Sequence, residues 1–194
     1  MKLTKMSLAV VASITAGVAL AHSGATGIVK ERMDGMAAMQ KAVKAVTPIM
    51  RGQADYDAEE VRTFAAALEM HSGEAMTKLF PEGSSGMPSV AKDEVWSDWE
   101  GFEILAMDLE VLAKALAEAA DNGLAAQVAG ASSGSMMGTG TMMGGNSAMG
   151  GMMGQSGENM MDAEVLASMP ADMLFTRISQ TCSACHTKYR AESN

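Results

Sequence analysis

The stretch Cys182-Ser183-Ala184-Cys185-His186 lies near the C-terminal end of the 194-residue chain and has the spacing C-x-x-C-H. Two thiols one helical turn apart can add to the two vinyl groups along one porphyrin edge, and the histidine that follows can offer its imidazole to the iron. A disulfide or redox dithiol would give His186 no role, and a zinc site would lack its other ligands. The pattern therefore predicts one haem c, attached through Cys182 and Cys185, with His186 as the proximal ligand of the haem iron.

The N-terminus has the features of a secretory signal. Lys2 and Lys5 form a short positive region beside an apolar stretch at 6–18, and Ala19-Leu20-Ala21 supplies the small-x-small pattern that signal peptidase cuts. An uncleaved membrane anchor is the alternative, but the apolar stretch is shorter than a bilayer-spanning helix. We predict a signal peptide at 1–21, export to the periplasm and a mature domain at 22–194.

The negative net charge of the chain indicates which classes of molecule it can bind. The chain has 14 basic and 23 acidic side chains, and removing Lys2 and Lys5 leaves 12 against 23, a formal charge of −11. Such a surface disfavours nucleic acid, whose phosphates attract Lys and Arg, and suits a protein that meets basic partners. The sequence shows no nucleophile–base pair or paired carboxylates, and no later stretch apolar enough to span a membrane. We expect redox partner proteins and no enzyme activity.

Four segments carry apolar residues at the three- and four-residue spacing of amphipathic helices. Short connections between the early segments favour an all-α, antiparallel four-helix bundle. Aromatic residues make up only 4% of the chain, so Leu, Met, Ala and a large cofactor would have to fill the core. The predicted helices cover about 28–50, 57–79, 93–121 and 171–191.

A methionine- and glycine-rich segment at 130–161 interrupts this pattern. Glycine is too frequent there for a stable helix, so we predict a low-complexity loop between the third and fourth helices. Thioether sulfurs are soft ligands that suit Cu(I), so a Cu(I) site is one interpretation of the repeated Met-Met pairs. The alternative is an insertion that binds nothing. Copper handling is therefore one hypothesis for function, beside a function of the haem.

The chain resembles the class II c-type cytochromes, the cytochrome c′ and cytochrome c556 group, which place haem attachment near the C-terminus. The resemblance spans nearly all of the mature chain except the methionine-rich segment and implies a four-helix bundle. Homodimers formed through the first two helices are common in this family, so the resemblance also implies a possible homodimer. The matching stretches are Lys30-Glu31-Arg32, Thr47-Pro48, Val95-Trp96-Ser97-Asp98 and Cys182 to His186 with Tyr189-Arg190.

The resemblance also implies roles for single side chains around the haem. Arg32 would lie near a haem propionate, Trp96 would pack close to the haem edge, and Arg190 would lie beside the proximal face. The residues alone favour simpler interpretations, a solvated helix charge for each arginine and a core aromatic for Trp96.

The sixth position of the iron separates two functions. In the resembling family, the residue four after the first-helix arginine faces the iron, and here that residue is Met36. A thioether ligand would raise the haem potential and suit a one-electron carrier of the c556 kind, which is our main expectation. If Met36 is only an apolar plug, as Met33 and Met39 on the same helix suggest, the iron stays five-coordinate. The protein would then bind nitric oxide or carbon monoxide.

Overall fold

The computed structural model of the protein describes residues 24–85, 88–126 and 161–192. Helices occupy each of the four predicted regions, and the second and third regions are divided into two and three pieces. In chain order they are α1 (Gly27–Met50), α2 (Ala58–His71), α3 (Gly73–Thr77), α4 (Glu94–Ser97), α5 (Trp99–Glu118), a 3-10 helix (Ala119–Asn122), α6 (Ala163–Ala167) and α7 (Ala171–Tyr189).

The long helices α1, α2, α5 and α7 form an antiparallel four-helix bundle, which confirms the predicted fold class. α5 lies against both α2 and α7, and α1 packs mainly on α2. Asp57 accepts hydrogen bonds from the amides of Glu59 (2.9 Å) and Glu60 (3.3 Å), so it caps α2 at the predicted start of the second helix. Within the described residues, no helix has the length and apolarity needed to cross a bilayer.

The core follows the predicted apolar stripes. On α5, Phe102, Leu109, Leu112 and Leu116 are buried, and Leu105 is half-buried. They meet a buried face of α2 and one of α7, so the three helices share one continuous core. The fully buried side chains from those two helices include Val61, Phe64, Leu68, Leu174 and Ile178.

Two of the predicted helices are interrupted, which corrects the sequence-based boundaries. The second breaks at Ser72, and Gly73 has φ of +56°, a left-handed conformation that glycine adopts without steric cost. The third breaks at Asp98, whose φ of −128° and ψ of 54° are not helical. Apolar periodicity continues across both breaks because a short helix flanks each one, so spacing alone could not reveal them.

A candidate haem site at the end of the last helix

Cys182 and Cys185 lie three residues apart on α7, so their side chains share one face of the helix. Both are free thiols, half-buried and packed against the bundle core. Burial raises the pKa of Cys182, and burial together with the neighbouring Cys182 raises that of Cys185 to about 11. Both groups are therefore protonated thiols at neutral pH, held one turn apart as attachment to two vinyl groups requires.

His186 follows in the last turn of α7, where it is exposed. Partial desolvation of the imidazole and the nearby positive charge of Arg190 lower the pKa of His186. At neutral pH the ring is accordingly the neutral form that ligates iron. Two thiols one helical turn apart and a neutral imidazole are the groups that haem c uses for covalent attachment and for iron ligation. In the part of the chain that the structure describes, no group of three or more His, Cys, Asp or Glu side chains could hold a metal ion instead.

The last turn of α7 is held by an earlier part of the chain. The backbone N–H of Lys92 donates to Tyr189 O (2.9 Å), and that of Ala191 donates to Val90 O (2.8 Å). The ammonium group of Lys92 donates to Thr187 O (3.2 Å). The two bonds from Lys92 satisfy carbonyls that the end of α7 leaves without intrahelical partners, and its ammonium group lies where the helix dipole favours a cation.

Asp98 adds side-chain contacts to the same turn. Its Oδ2 accepts a hydrogen bond from the Tyr189 hydroxyl (2.5 Å) and forms an ion pair with Lys188. Hydrogen bonds from Lys188 and Tyr189 lower the pKa of Asp98, so this group is a carboxylate at neutral pH. Val90, Lys92 and Asp98 therefore all bond to the C-terminal end of α7 or to the residues that follow it.

Arg32 is buried, with only 6% of its surface exposed, and its hydrogen-bond partners are neutral. Nε donates to Leu79 O (2.6 Å), one terminal nitrogen donates to Ser84 O (3.1 Å) and Ser84 Oγ (2.5 Å), and the other to Ser89 Oγ (3.3 Å). The guanidinium also lies 4.3 Å from the centre of the Phe80 ring. Burial lowers the pKa of Arg32. This is not the solvated helix charge that the residue alone favoured.

Trp96 also bonds to the connection between α3 and α4. Its indole N–H donates to Phe80 O (2.9 Å) and Pro81 O (3.0 Å), and its half-buried ring lies 6.4 Å from that of Phe80. Arg32 and Trp96 therefore converge on the connection between α3 and α4. Met36 is half-buried against the core one turn after Arg32.

The structure thus brings the predicted site residues together in two groups. Cys182, Cys185 and His186 lie on the last two turns of α7, and the exposed Arg190 follows them, with Ala91 paired antiparallel to it. Arg32 and Trp96 form the second group. Sequence reasoning assigned no role to Asp98, Lys92 or Lys188. No local signal could have found them, because Asp98 and Tyr189 are 91 positions apart.

A four-helix bundle with a C-x-x-C-H turn at the end of its last helix defines a class II c-type cytochrome. The family model described as Cytochrome C' matches residues 27–139, more than half of the chain. The chain belongs to the cytochrome c′ family. The matched residues end before the C-x-x-C-H turn, which lies beyond the methionine-rich segment.

Solved structures agree with this fold. Cytochrome c prime from Alcaligenes xylosoxidans, in a carbon monoxide-bound variant, is 21% identical with a TM-score of 0.55, and the match covers 85% of this chain and 94% of that one. A nitric oxide complex of another variant has the same identity and TM-score, over 86% and 94%. Cytochrome c′ from Thermochromatium tepidum is 22% identical with a TM-score of 0.55, over 85% and 95%. No curated protein sequence matches the chain.

Proposed function

We propose that this protein is a periplasmic mono-haem cytochrome whose five-coordinate iron binds a small gas such as nitric oxide or carbon monoxide. The observation that carries the proposal is the C-x-x-C-H turn on α7, with both thiols against the core, in a chain of the cytochrome c′ family. Similar solved proteins include carbon monoxide and nitric oxide complexes, which favours gas binding over electron transfer.

When bound, haem supplies an iron that can take up a diatomic gas or exchange one electron. Cys182 and Cys185 would hold the porphyrin through thioether bonds, and His186 would offer a neutral imidazole to the iron. Among the described residues, Arg32 donates four hydrogen bonds, all to neutral protein acceptors. A buried cation with neutral partners favours a nearby anion, so the guanidinium suits a haem propionate. In this proposal Trp96 packs close to the haem edge, and Arg190 lies beside the proximal face of the haem.

The second candidate is the one-electron carrier with Met36 as sixth ligand, which would act with redox partner proteins. Its support is the place of Met36 on α1, half-buried and one turn after the buried Arg32. Met33 is also half-buried and Met39 is buried, so α1 uses methionine as ordinary packing too. Both candidates keep the same attachment and the same proximal ligand.

Absorption spectra of the ferric and ferrous protein, with and without carbon monoxide, separate the two. We expect a high-spin ferrous haem that binds the gas rapidly, and an unchanged spectrum in Met36→Ala. Met33→Ala is the matched control, because it removes a half-buried methionine from the same helix. A low-spin haem that binds the gas slowly and becomes high-spin only in Met36→Ala would replace gas binding with electron transfer.

Two further parts of the proposal concern the whole chain. Export rests on the signal sequence at 1–21, which lies outside the described residues, and the homodimer rests on the family resemblance. The copper hypothesis rests on 130–161, of which only Met161 is described, half-buried against the core. It stays a prediction.

A further inference from the structure

Asp98 occupies the N-cap position of α5, and aspartate is among the residues preferred there because its side chain can accept hydrogen bonds from the first helical amides. Asp98 makes no such bond. Its carboxylate turns instead to the Tyr189 hydroxyl and the Lys188 ammonium on α7. Departures from a local rule in favour of a long-range contact concentrate at functional sites.

Tyr189 connects Asp98 to the haem-attachment turn. It lies one helical turn after His186, is 3% exposed, and packs edge-to-face on Phe102 with ring centres 5.5 Å apart. Its carbonyl is held by the backbone N–H of Lys92 and its hydroxyl by Asp98. With the ring, the carbonyl and the hydroxyl all fixed, the last turn of α7 has one orientation relative to α5.

Gly101 leaves the room that this contact needs. A Cβ at this position would lie 2.5 Å from Asp98 Oδ2 and 2.7 Å from the Tyr189 hydroxyl, closer than real Cβ atoms approach other atoms. A glycine inside α5 lowers helix stability relative to alanine. Its presence here is therefore explained by the contact between Asp98 and Tyr189.

We propose that Asp98 is a positioning residue for the proximal histidine. Through Tyr189 and Lys188 it fixes the last turn of α7, and so the direction from which the His186 imidazole meets the haem iron. Groups that orient a ligand without touching the metal commonly tune its affinity and potential. This inference rests on the proposed haem function.

The test uses the full exported holoprotein and four variants. Tyr189→Phe removes the hydroxyl and Gly101→Ala crowds the contact, and neither changes the net charge. Asp98→Asn removes the carboxylate. Asp121→Asn is the matched control, because it breaks an exposed ion pair with Arg62 beyond the opposite end of α5. Haem midpoint potential, the hyperfine-shifted proton resonances of the proximal histidine and thermal unfolding are measured for each.

We expect Tyr189→Phe, Gly101→Ala and Asp98→Asn each to change the oxidised-to-reduced ratio at the unmodified protein's midpoint by about threefold or more. The proton resonances of the proximal histidine should shift in the same variants. Asp121→Asn should leave both the midpoint potential and these resonances unchanged. Wild-type haem signals in Tyr189→Phe and Gly101→Ala would overturn the inference, even if Asp98→Asn shifted the potential or the melting temperature fell. Absence of covalent haem from the unmodified protein would overturn the proposed function as well.

Discussion

At the scale of single residues, the bonding of Arg32 is the feature that sequence alone least anticipates. A positive charge on an amphipathic helix is usually solvated, yet this guanidinium is buried and bonded to residues 47 to 57 positions away. Cys182, Cys185 and His186 could be predicted because haem attachment needs contiguous residues. The partners of Arg32 and Trp96 could not, because they depend on how the connection between α3 and α4 folds back.

The first residue-scale prediction concerns attachment. Thioether bonds through Cys182 and Cys185 should keep the haem on the polypeptide during acid–acetone extraction, because a covalent cofactor cannot partition into the solvent. The double variant Cys182→Ala with Cys185→Ala should carry no extraction-resistant haem. His186→Ala should lose the native spectrum or the stable holoprotein. Passage of the colour into the solvent from the unmodified protein would contradict the attachment.

The second concerns Arg32. Replacing it with Gln leaves buried acceptors without their donors, so we expect the free energy of unfolding to fall by about 2–3 kcal/mol. Lys30→Gln, which removes an exposed ion pair with Asp34 on the same helix, should cost less than about 1 kcal/mol. Urea unfolding of both variants measures the difference. Equal effects would show that the hydrogen bonds of Arg32 add nothing beyond those of a surface charge.

At the scale of helices, the breaks at Ser72 and Asp98 show that apolar periodicity predicts which face of a helix is buried but not where the helix is interrupted. Apolar spacing predicted continuous helices over 57–79 and 93–121, and it correctly gave the buried face of α5. The break at Ser72 and Gly73 has a local signal, since a serine–glycine pair is typical of a helix end. The break at Asp98 has a weaker one, because a lone aspartate before Trp99 fits a helix start or a helix interior.

The prediction at this scale compares two glycines that share a left-handed backbone. Gly73 has φ of +56° and Gly83 has φ of +74°, so alanine at either position should cost about 1–2 kcal/mol. A Cβ at Gly73 would also lie 1.7 Å from Glu110 Oε2, whereas no atom of the described residues lies within 4 Å of one at Gly83. Gly73→Ala should therefore lower the melting temperature more than Gly83→Ala.

Truncating the Glu110 side chain should relieve the additional destabilisation caused by Gly73→Ala. In a double-mutant cycle, Glu110→Ala should recover much of the additional destabilisation of Gly73→Ala and leave Gly83→Ala unaffected. Additive effects at Gly73 and Glu110 would mean that crowding by the carboxylate plays no part. The backbone conformation alone would then explain the requirement for glycine.

For the whole molecule, four amphipathic segments and a C-terminal attachment motif were sufficient to predict the bundle. They were not sufficient to predict that the connection before α4 pairs with the end of α7. Such pairing depends on the geometry of the loop, and loop geometry produces no periodic pattern in the sequence. Spacing therefore predicted the residues of haem attachment but not the residues that hold the last turn of α7 in place.

The last prediction separates the methionine-rich segment from the haem bundle. Residues 134–157 include none of the described helices and none of the proposed haem-site residues. We therefore expect deletion of residues 134–157 to leave the haem spectrum intact. If thioether sulfurs bind Cu(I), the same deletion should lower the copper stoichiometry.

A variant of full length tests whether sulfur is the cause. Leucine has nearly the volume and apolarity of methionine but no thioether, so leucine substitutions keep the segment's length and hydrophobicity while removing the ligand atoms. Loss of Cu(I) binding in this variant, matching the deletion, would assign the metal to the sulfurs. Equal Cu(I) binding by all three proteins would reject the copper hypothesis and leave the segment as an insertion without a metal. The substituted positions are Met136, Met137, Met142, Met143, Met152 and Met153.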